Sequence, residues 1–387
     1  MDSQKLLQRF LNYVKIETYS CSEKAEQGIQ PSTESQRIFA NILKDELLSL
    51  GIVDITVTEH AYVCARIRAS AGFENAPSVG FLAHMDIVEG ISDKAVIPQI
   101  KQIDGDTIIT SSGDTILGSD NKAGIAEIIC AIETVLTKQI PHGQIEIIFS
   151  PDEETGHGMD NVPLSWIQSK QCYTVDGGGL GEIEFECFNA YKTIVNFYGL
   201  AMHTGTARPN MTNATTMAAH FISMLPQNES PEATDGYLGF YAPMNICGSM
   251  EKTTVTVFLR DFSSQNMIKR IESINAFAKA IKCKFPNGNV EVEHIKQYEN
   301  MKETLDKNPQ VVEKLIQAVK NAGIEPVFKP IRGGTDGSRL TEMGIPTPNI
   351  FTGGYNFHSK DEYASLNEMS KACQTIIELI KLYAQNK

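Results

Sequence analysis

The sequence predicts an α/β protein whose mixed, largely parallel sheet is interrupted by a smaller α+β segment. Three observations carry this expectation. Short, continuous apolar runs at 78–83 and 145–149 alternate with stretches of helical period, the pattern of buried parallel strands joined by crossover helices. The texture changes near Asn189 to strands that alternate polar with apolar, and it changes back near Lys302. The chain also has 387 residues, more than one core usually organises. The expected division is one discontinuous domain, 1–188 with 302–387, and one inserted domain, 189–301.

Each element has its own signal. Leu6, Phe10 and Val14 recur at helical spacing, as do Phe39, Leu43 and Leu47 before a stop at Gly51. Strands are expected at 55–58, 62–67 and 78–83, then a turn-rich stretch over 105–118. Ile125, Ile128, Ile132 and Val135 line one face of a helix, and strands follow at 145–149 and 172–175. The insert reads as strand 191–198, helix 213–225, strand 253–262, helix 265–281 and strand 289–295. After it come a helix at 309–322, a glycine-rich loop at 332–337, a short strand at 349–351 and a final helix at 366–384.

Composition narrows the class. Hydrophobic content of 42% and charged content of 21% are ordinary for a globular chain. A formal net charge of -13 argues against nucleic acid or an anionic membrane as partner. The opening residues carry an amphipathic helical pattern and not a signal peptide's apolar run, and no stretch is long enough to span a bilayer. The eight cysteines are scattered without a Cys-x-x-Cys pair, so reduced thiols and a cytoplasmic setting are expected. Any metal would then be held by imidazole and carboxylate, not by thiolate.

Five positions share one context, an apolar run followed by an acid or histidine beside small residues: His84, Asp120, Glu154, Asp176 and His358. Such run ends are where α/β active sites gather. Two histidines with three carboxylates suit two zinc ions, and two close metals need one bridging carboxylate. Asp86 lies two residues from His84, on the same side of a strand, where it can accept the spare imidazole N–H. Glu153, next to Glu154, is the candidate to accept a proton from an attacking water.

The motifs His84-Met-Asp86, Leu117-Gly-Ser-Asp-Asn-Lys-Ala-Gly124, Pro151-Asp-Glu-Glu-Thr-Gly156, Thr174-Val-Asp-Gly-Gly-Gly179 and Phe351-Thr-Gly-Gly-Tyr-Asn-Phe-His358 resemble, as an ordered set, those of the peptidase T family. That family of tripeptide aminopeptidases belongs to the co-catalytic di-zinc aminopeptidase and carboxypeptidase superfamily. Leu11-Asn-Tyr-Val14, Pro31-Ser-Thr-Glu34, His203-Thr-Gly-Thr206, Arg260-Asp-Phe262 and Ile331-Arg-Gly-Gly-Thr-Asp-Gly337 extend the resemblance nearly end to end. Met85 and Asn121 depart from the family pattern, and the segment between His84 and Asp120 is short.

The resemblance implies two Zn2+ per chain bridged by Asp120. His84 and Asp176 would complete one site, and Glu154 and His358 the other. It implies that Asp86 orients His84, that Glu153 is the general base, and that His203 of the insert reaches the cleft and stabilises the oxyanion. It also implies a zinc-binding α/β domain interrupted by a lid domain, often used for homodimerisation. Short peptides are the implied substrates, and Arg260 and Arg332 are candidate anchors for their carboxylate. The same zinc core serves dipeptidases, carboxypeptidases and N-acyl amino-acid deacylases of the superfamily, so these stand as rivals. A zinc-binding scaffold without activity would have no need of Glu153.

Overall fold

A computed structural model describes residues 2–89 and 94–385 of the chain. The chain divides into two compact units: Met1–Phe185, Met301–Lys329 and Thr335–Lys387 in the first, and Glu186–Asn300 with Pro330–Gly334 in the second.

The first unit is built on an eight-stranded mixed sheet. Its centre is the strand Val79–His84, buried along its whole length. It runs parallel to Ile145–Ser150 on one side and to Cys172–Gly177 on the other. Asn349–Phe351 continues the parallel set beyond Cys172–Gly177. Val63–Ile67 and then Asp54–Val57 add antiparallel on one side; on the other Glu182–Glu184 adds antiparallel and Val327–Phe328, parallel to it, forms the edge. The register pairs His84 with Ser150 and Phe351 with Gly177, so the carboxyl ends of the parallel strands finish side by side. This is the end of an α/β sheet where ligands bind.

Two glycines set the spacing under that end. A Cβ on Gly80 would lie 2.4 Å from the Cys172 Sγ of the neighbouring strand, so only glycine lets the two strands pack there. A Cβ on Gly124 would lie 2.0 Å from the carbonyl oxygen of Val175. The helix Ser119–Thr137 therefore presses against the strand Cys172–Gly177 at its first turn, which brings Asp120 beside Asp176.

A second, four-stranded sheet of the first unit was not expected. The residues between 105 and 118 that read as turns contribute the strand Asp106–Thr110, hairpinned to Gln99–Ile103. Asp104 and Gly105 make the turn with φ of 51° and 83°. An Asp-Gly pair with both φ positive is a favoured two-residue hairpin connection. Tyr363–Ser365 and Gly354–Tyr355 complete this sheet.

The second unit has a four-stranded antiparallel sheet in the order Phe240–Gly248, Lys252–Asp261, Asn189–Tyr198, Asn289–Tyr298. The helices Ala214–Met224 and Ser264–Lys284 cover one face, and Val195, Phe197, Met217, Phe221, Val255 and Leu259 are buried among them. Each such side chain is worth about 1.5–3 kcal/mol on burial. The edge strand Phe240–Gly248 has no counterpart among the expected strands, because Pro243 and a run of exposed residues hide its period. Among the described residues no helix is long and apolar enough to cross a membrane.

Candidate metal centre

Five side chains of the first unit converge at the carboxyl end of its sheet. His84 ends the strand Val79–His84, and its Nε2 lies 2.9 Å from Asp120 Oδ1 and 3.4 Å from Asp176 Oδ1. His358 reaches in from a turn, with its Nε2 3.1 Å from Asp120 Oδ2 and 2.9 Å from Glu154 Oε1. Two donor groups result: His84, Asp120 and Asp176, and Asp120, Glu154 and His358, each with ligand atoms within 4.8 Å of one another. Asp120 belongs to both and turns one oxygen to each.

Local backbone accounts for these directions. Gly118, at φ 76°, opens the helix Ser119–Thr137, and Asp120 keeps an extended ψ of 98° before regular helix begins. Its carboxylate is thereby left facing the strand ends. Asp152 sits in the left-handed region at φ 60°, a conformation that costs a non-glycine residue about 1–3 kcal/mol. It is held there by Ser32 and Gln36. Its carboxylate accepts the Ser32 N–H at 2.8 Å and Gln36 Nε2 at 2.7 Å, and its own N–H donates to Gln36 Oε1 at 3.0 Å. That bend carries Glu153 and Glu154 round to the site. The motif beginning at Pro31 thus supports the two acids from beneath.

Asp86 makes its expected contact with His84 as the longer of two. The oxygen nearest His84 Nδ1 is the backbone carbonyl of Asp86, at 3.1 Å, while the carboxylate Oδ1 is 3.4 Å away. The carboxylate also accepts the N–H groups of Glu153 and Glu154, each at 3.0 Å. One residue therefore orients the imidazole with its main chain and the two glutamates with its side chain.

The charges are crowded, and their ionisation shows it. Burial pushes Glu153 well above the usual carboxylate range, with Asp176, Asp336 and Glu154 adding to the rise and His84 opposing it. Burial, then Asp120, raises Glu154 to about 7. Burial raises Asp176 to about 6. Asp120 goes the other way: burial would raise it, but His358 and His84 together hold it below its ordinary value. Hydrogen bonds that its imidazolium donates to Asp120 and Glu154 drive His358 up to about 11. Burial would lower His84, yet the charge of Asp176 and the acids bonded to it keep it well above its ordinary value. Several carboxylates thus surround two imidazoles that can be satisfied only by protons or by cations. Imidazole nitrogen and carboxylate oxygen, with one shared carboxylate, are the donors a pair of zinc ions takes.

The other expected residues lie in the second unit. His203 opens a single helical turn, Thr204–Thr206, and its Nδ1 accepts the Gly205 N–H at 3.1 Å. That bond places the proton of a neutral ring on Nε2, which makes Nε2 a donor. Arg332 uses Nη1 on the carbonyls of Gly236 and Leu238, both at 2.8 Å, and Nη2 on Thr234 Oγ1 at 3.0 Å. Its guanidinium braces the turn 234–238. Arg260 is buried under Phe258 and Tyr298, with Nη1 on the Leu259 carbonyl at 2.9 Å. Asp261 pairs with Arg270 at 2.8 Å and leaves Arg260 without that partner. Sequence reasoning passed over Asp336 and Glu362. Asp336 is buried, accepts a hydrogen bond from Ser150, and is raised to about 7 by burial.

The profile of peptidase family M20/M25/M40 matches residues 80–382. Peptidase T of Clostridium perfringens (strain SM101) is 41% identical over 408 positions, covering 99% of this chain and 100% of its own length. Peptidase T of Bacillus licheniformis is 40% identical, covering 98% and 99%. Among solved structures, the aminopeptidase PepT from Bacillus cereus superposes with a TM-score of 0.81 at 24% identity, covering 99% of each chain. A Bacillus subtilis protein described as a dinuclear metal-binding peptidase of the M20 family superposes at 0.72 with 15% identity, covering 100% and 99%.

Proposed function

This chain belongs to peptidase family M20/M25/M40 and is a metallo-exopeptidase, and from that premise we propose that it is an aminopeptidase releasing the N-terminal residue of tripeptides with two zinc ions. The observation that carries the two-metal reading is Asp120, which presents Oδ1 to His84 at 2.9 Å and Oδ2 to His358 at 3.1 Å. His84, Asp120 and Asp176 would hold one ion, and Asp120, Glu154 and His358 the other. The pair supplies Lewis acidity to the peptide carbonyl and lowers the pKa of a water.

The chain's own residues do the rest. Glu153 takes the proton of the attacking water and passes it to the departing amine. Its main-chain N–H, held by the buried Asp86 carboxylate, fixes it next to Glu154, where it can carry that proton between the two steps. Asp86 fixes Glu153 and Glu154 through their N–H groups. His203, with Nε2 as donor, stabilises the oxyanion of the tetrahedral intermediate, a charge that only the transition state develops. Arg260 and Arg332 are the proposed anchors for the substrate carboxylate. In the structure the donors of Arg332 serve the 234–238 turn, and Nη1 of Arg260 serves the Leu259 carbonyl.

The deciding experiment is hydrolysis of a length series with free and blocked ends. Free tripeptides should be cleaved fastest, N-acylated ones not at all, and C-terminal amides with a raised KM that Arg260→Lys no longer changes. Preferential cleavage of dipeptides or of N-acyl amino acids would transfer the chain to one of the rival activities.

Two parts of the proposal concern setting. The eight free cysteines fit a reducing cytoplasm, which fractionation of the producing cell checks. The edge strand Phe240–Gly248 exposes Met244 and Ile246 and is the surface we assign to a homodimer. Ile246→Lys should then shift sedimentation from dimer to monomer, and an unshifted species would remove that surface from consideration.

A further inference from the structure

His84 and His358 are held in very different ways. His84 belongs to a central strand and is 2% exposed. His358 lies in a turn at φ 59°, and its side chain is 48% exposed. Strand pairing therefore aims one imidazole, while the other depends on whatever fixes its turn. The turn is internally bonded: Ser359 Oγ donates to the Asn356 carbonyl at 2.7 Å, Asn356 Nδ2 to the Asp361 carbonyl at 3.2 Å, and the Glu362 N–H to the Ser359 carbonyl at 3.2 Å.

Two short paired strands, Gly354–Tyr355 and Tyr363–Ser365, close the turn, and what joins it to the residues that open the helix Ser119–Thr137 is the side chain of Glu362. It is 1% exposed and reaches under the loop that carries Asp120. Oε2 accepts the N–H groups of Leu117 at 2.7 Å and Gly118 at 2.8 Å. Oε1 accepts Ser119 Oγ at 2.6 Å and the Asp120 N–H at 3.2 Å. All four bonds are charge-assisted and shielded from water, conditions in which they are strongest. Asp120 and His358 are 238 residues apart in sequence, and Glu362 joins their two segments.

We propose that Glu362 is a positioning residue that registers the His358 turn against the Asp120 loop, and so sets the metal affinity of the Asp120–Glu154–His358 group in preference to the His84–Asp120–Asp176 group. This rests on the two-metal reading. His84 and Asp176 stand on paired strands and keep their positions without Glu362. His358 does not.

Glu362→Gln keeps the shape but offers one oxygen and turns an amide NH2 toward two backbone donors. Zn2+ alone is the probe, titrated into the metal-free full-length protein against a chelating dye. Wild type should take up two ions; failure to do so would end the two-metal reading and this proposal with it, whereas two ions in wild type with unchanged affinities in the variant would end this proposal alone. In the variant, one site should weaken about 10–100-fold and the other should change little. Unaltered affinity at both sites overturns the proposal, and so does an equal loss at both, which is what general loosening would give. Should the variant not fold, Ser119→Ala removes a single bond from the same cluster. It should weaken the same one site by a smaller factor, and an unchanged pair of affinities in that variant refutes the inference equally.

Discussion

Replacing Asp86 with asparagine removes one oxygen and the charge while leaving the side chain's shape. In the protein both carboxylate oxygens are occupied, each by a backbone N–H at 3.0 Å, and the residue is 0% exposed, so no water can take over. Asparagine can satisfy one of those donors and must point its own NH2 at the other. A hydrogen bond to a charged group contributes about 1.5–3 kcal/mol, and a buried donor left unpaired costs about 1–3 kcal/mol. These overlap, and a combined loss of about 2–4 kcal/mol is the scale. At about 1.4 kcal/mol per factor of ten, that is roughly 30- to 800-fold. The two N–H groups belong to Glu153 and Glu154, so the loss falls on the proposed base and on a proposed ligand together. Turnover and zinc affinity should both drop, with zinc affinity falling about 10–100-fold, as for other groups that support ligands. The His84 contact should survive, because it is made by the Asp86 main chain. Competition with a chelating dye, initial rates at saturating zinc and a thermal melt separate the three effects. Wild-type turnover together with wild-type zinc affinity in Asp86→Asn would refute the claim that the carboxylate holds the two glutamates.

Other outcomes follow from the same geometry. Glu153→Gln should lower kcat by about 100- to 10,000-fold with both zinc ions retained, and near-normal turnover would place the base elsewhere. His203→Ala should lower kcat by about 100- to 1,000-fold with KM and zinc content little altered, and an unchanged kcat would return His203 to an ordinary surface turn. Zinc uptake should release protons, because in the metal-free protein Asp120 and Glu154 raise His358 to about 11 and burial raises Glu154 to about 7. Those protons must leave before either group can ligate, so affinity falls as pH falls, more steeply below about 7 where Glu154 gains its proton. Calorimetry in buffers of different ionisation enthalpy measures that release, and a pH-independent affinity across this range would contradict it.

The five ligand candidates were legible in the sequence because each follows an apolar run or begins a helix, and the parallel sheet delivers such ends to one place. Their partners were not legible. Glu362 lies in a polar turn with no apolar run beside it, and its contacts are to residues more than 240 positions away. Asp152 gives no sign in sequence that Ser32 and Gln36 will hold it in a left-handed bend. The small sheet was missed because Gln99–Ile103 is exposed on every residue and so shows no alternation. Its one signal was the Asp104-Gly105 pair. The arginines are ambiguous for a different reason. A guanidinium suited to a substrate carboxylate is equally suited to backbone carbonyls, and Arg332 has found three of them, at Thr234, Gly236 and Leu238.

The order in which these segments leave the ribosome gives the interrupted first unit a consequence for biogenesis. The four-stranded sheet of the second unit is drawn from one continuous stretch between Asn189 and Tyr298, so its strands can pair as soon as that stretch has emerged. The eight-stranded sheet cannot be completed until Asn349–Phe351 arrives to pair with Cys172–Gly177. The turn bearing His358 comes later still, followed by the helix Leu366–Ala384. Chains usually fold from the N-terminus as they are made, but here the inserted unit can mature first while the unit around it waits for its last strand. The Asp120–Glu154–His358 group is therefore assembled only at the end of synthesis, and a chain cut short before His358 would expose three carboxylates and one imidazole with no second histidine to complete the set.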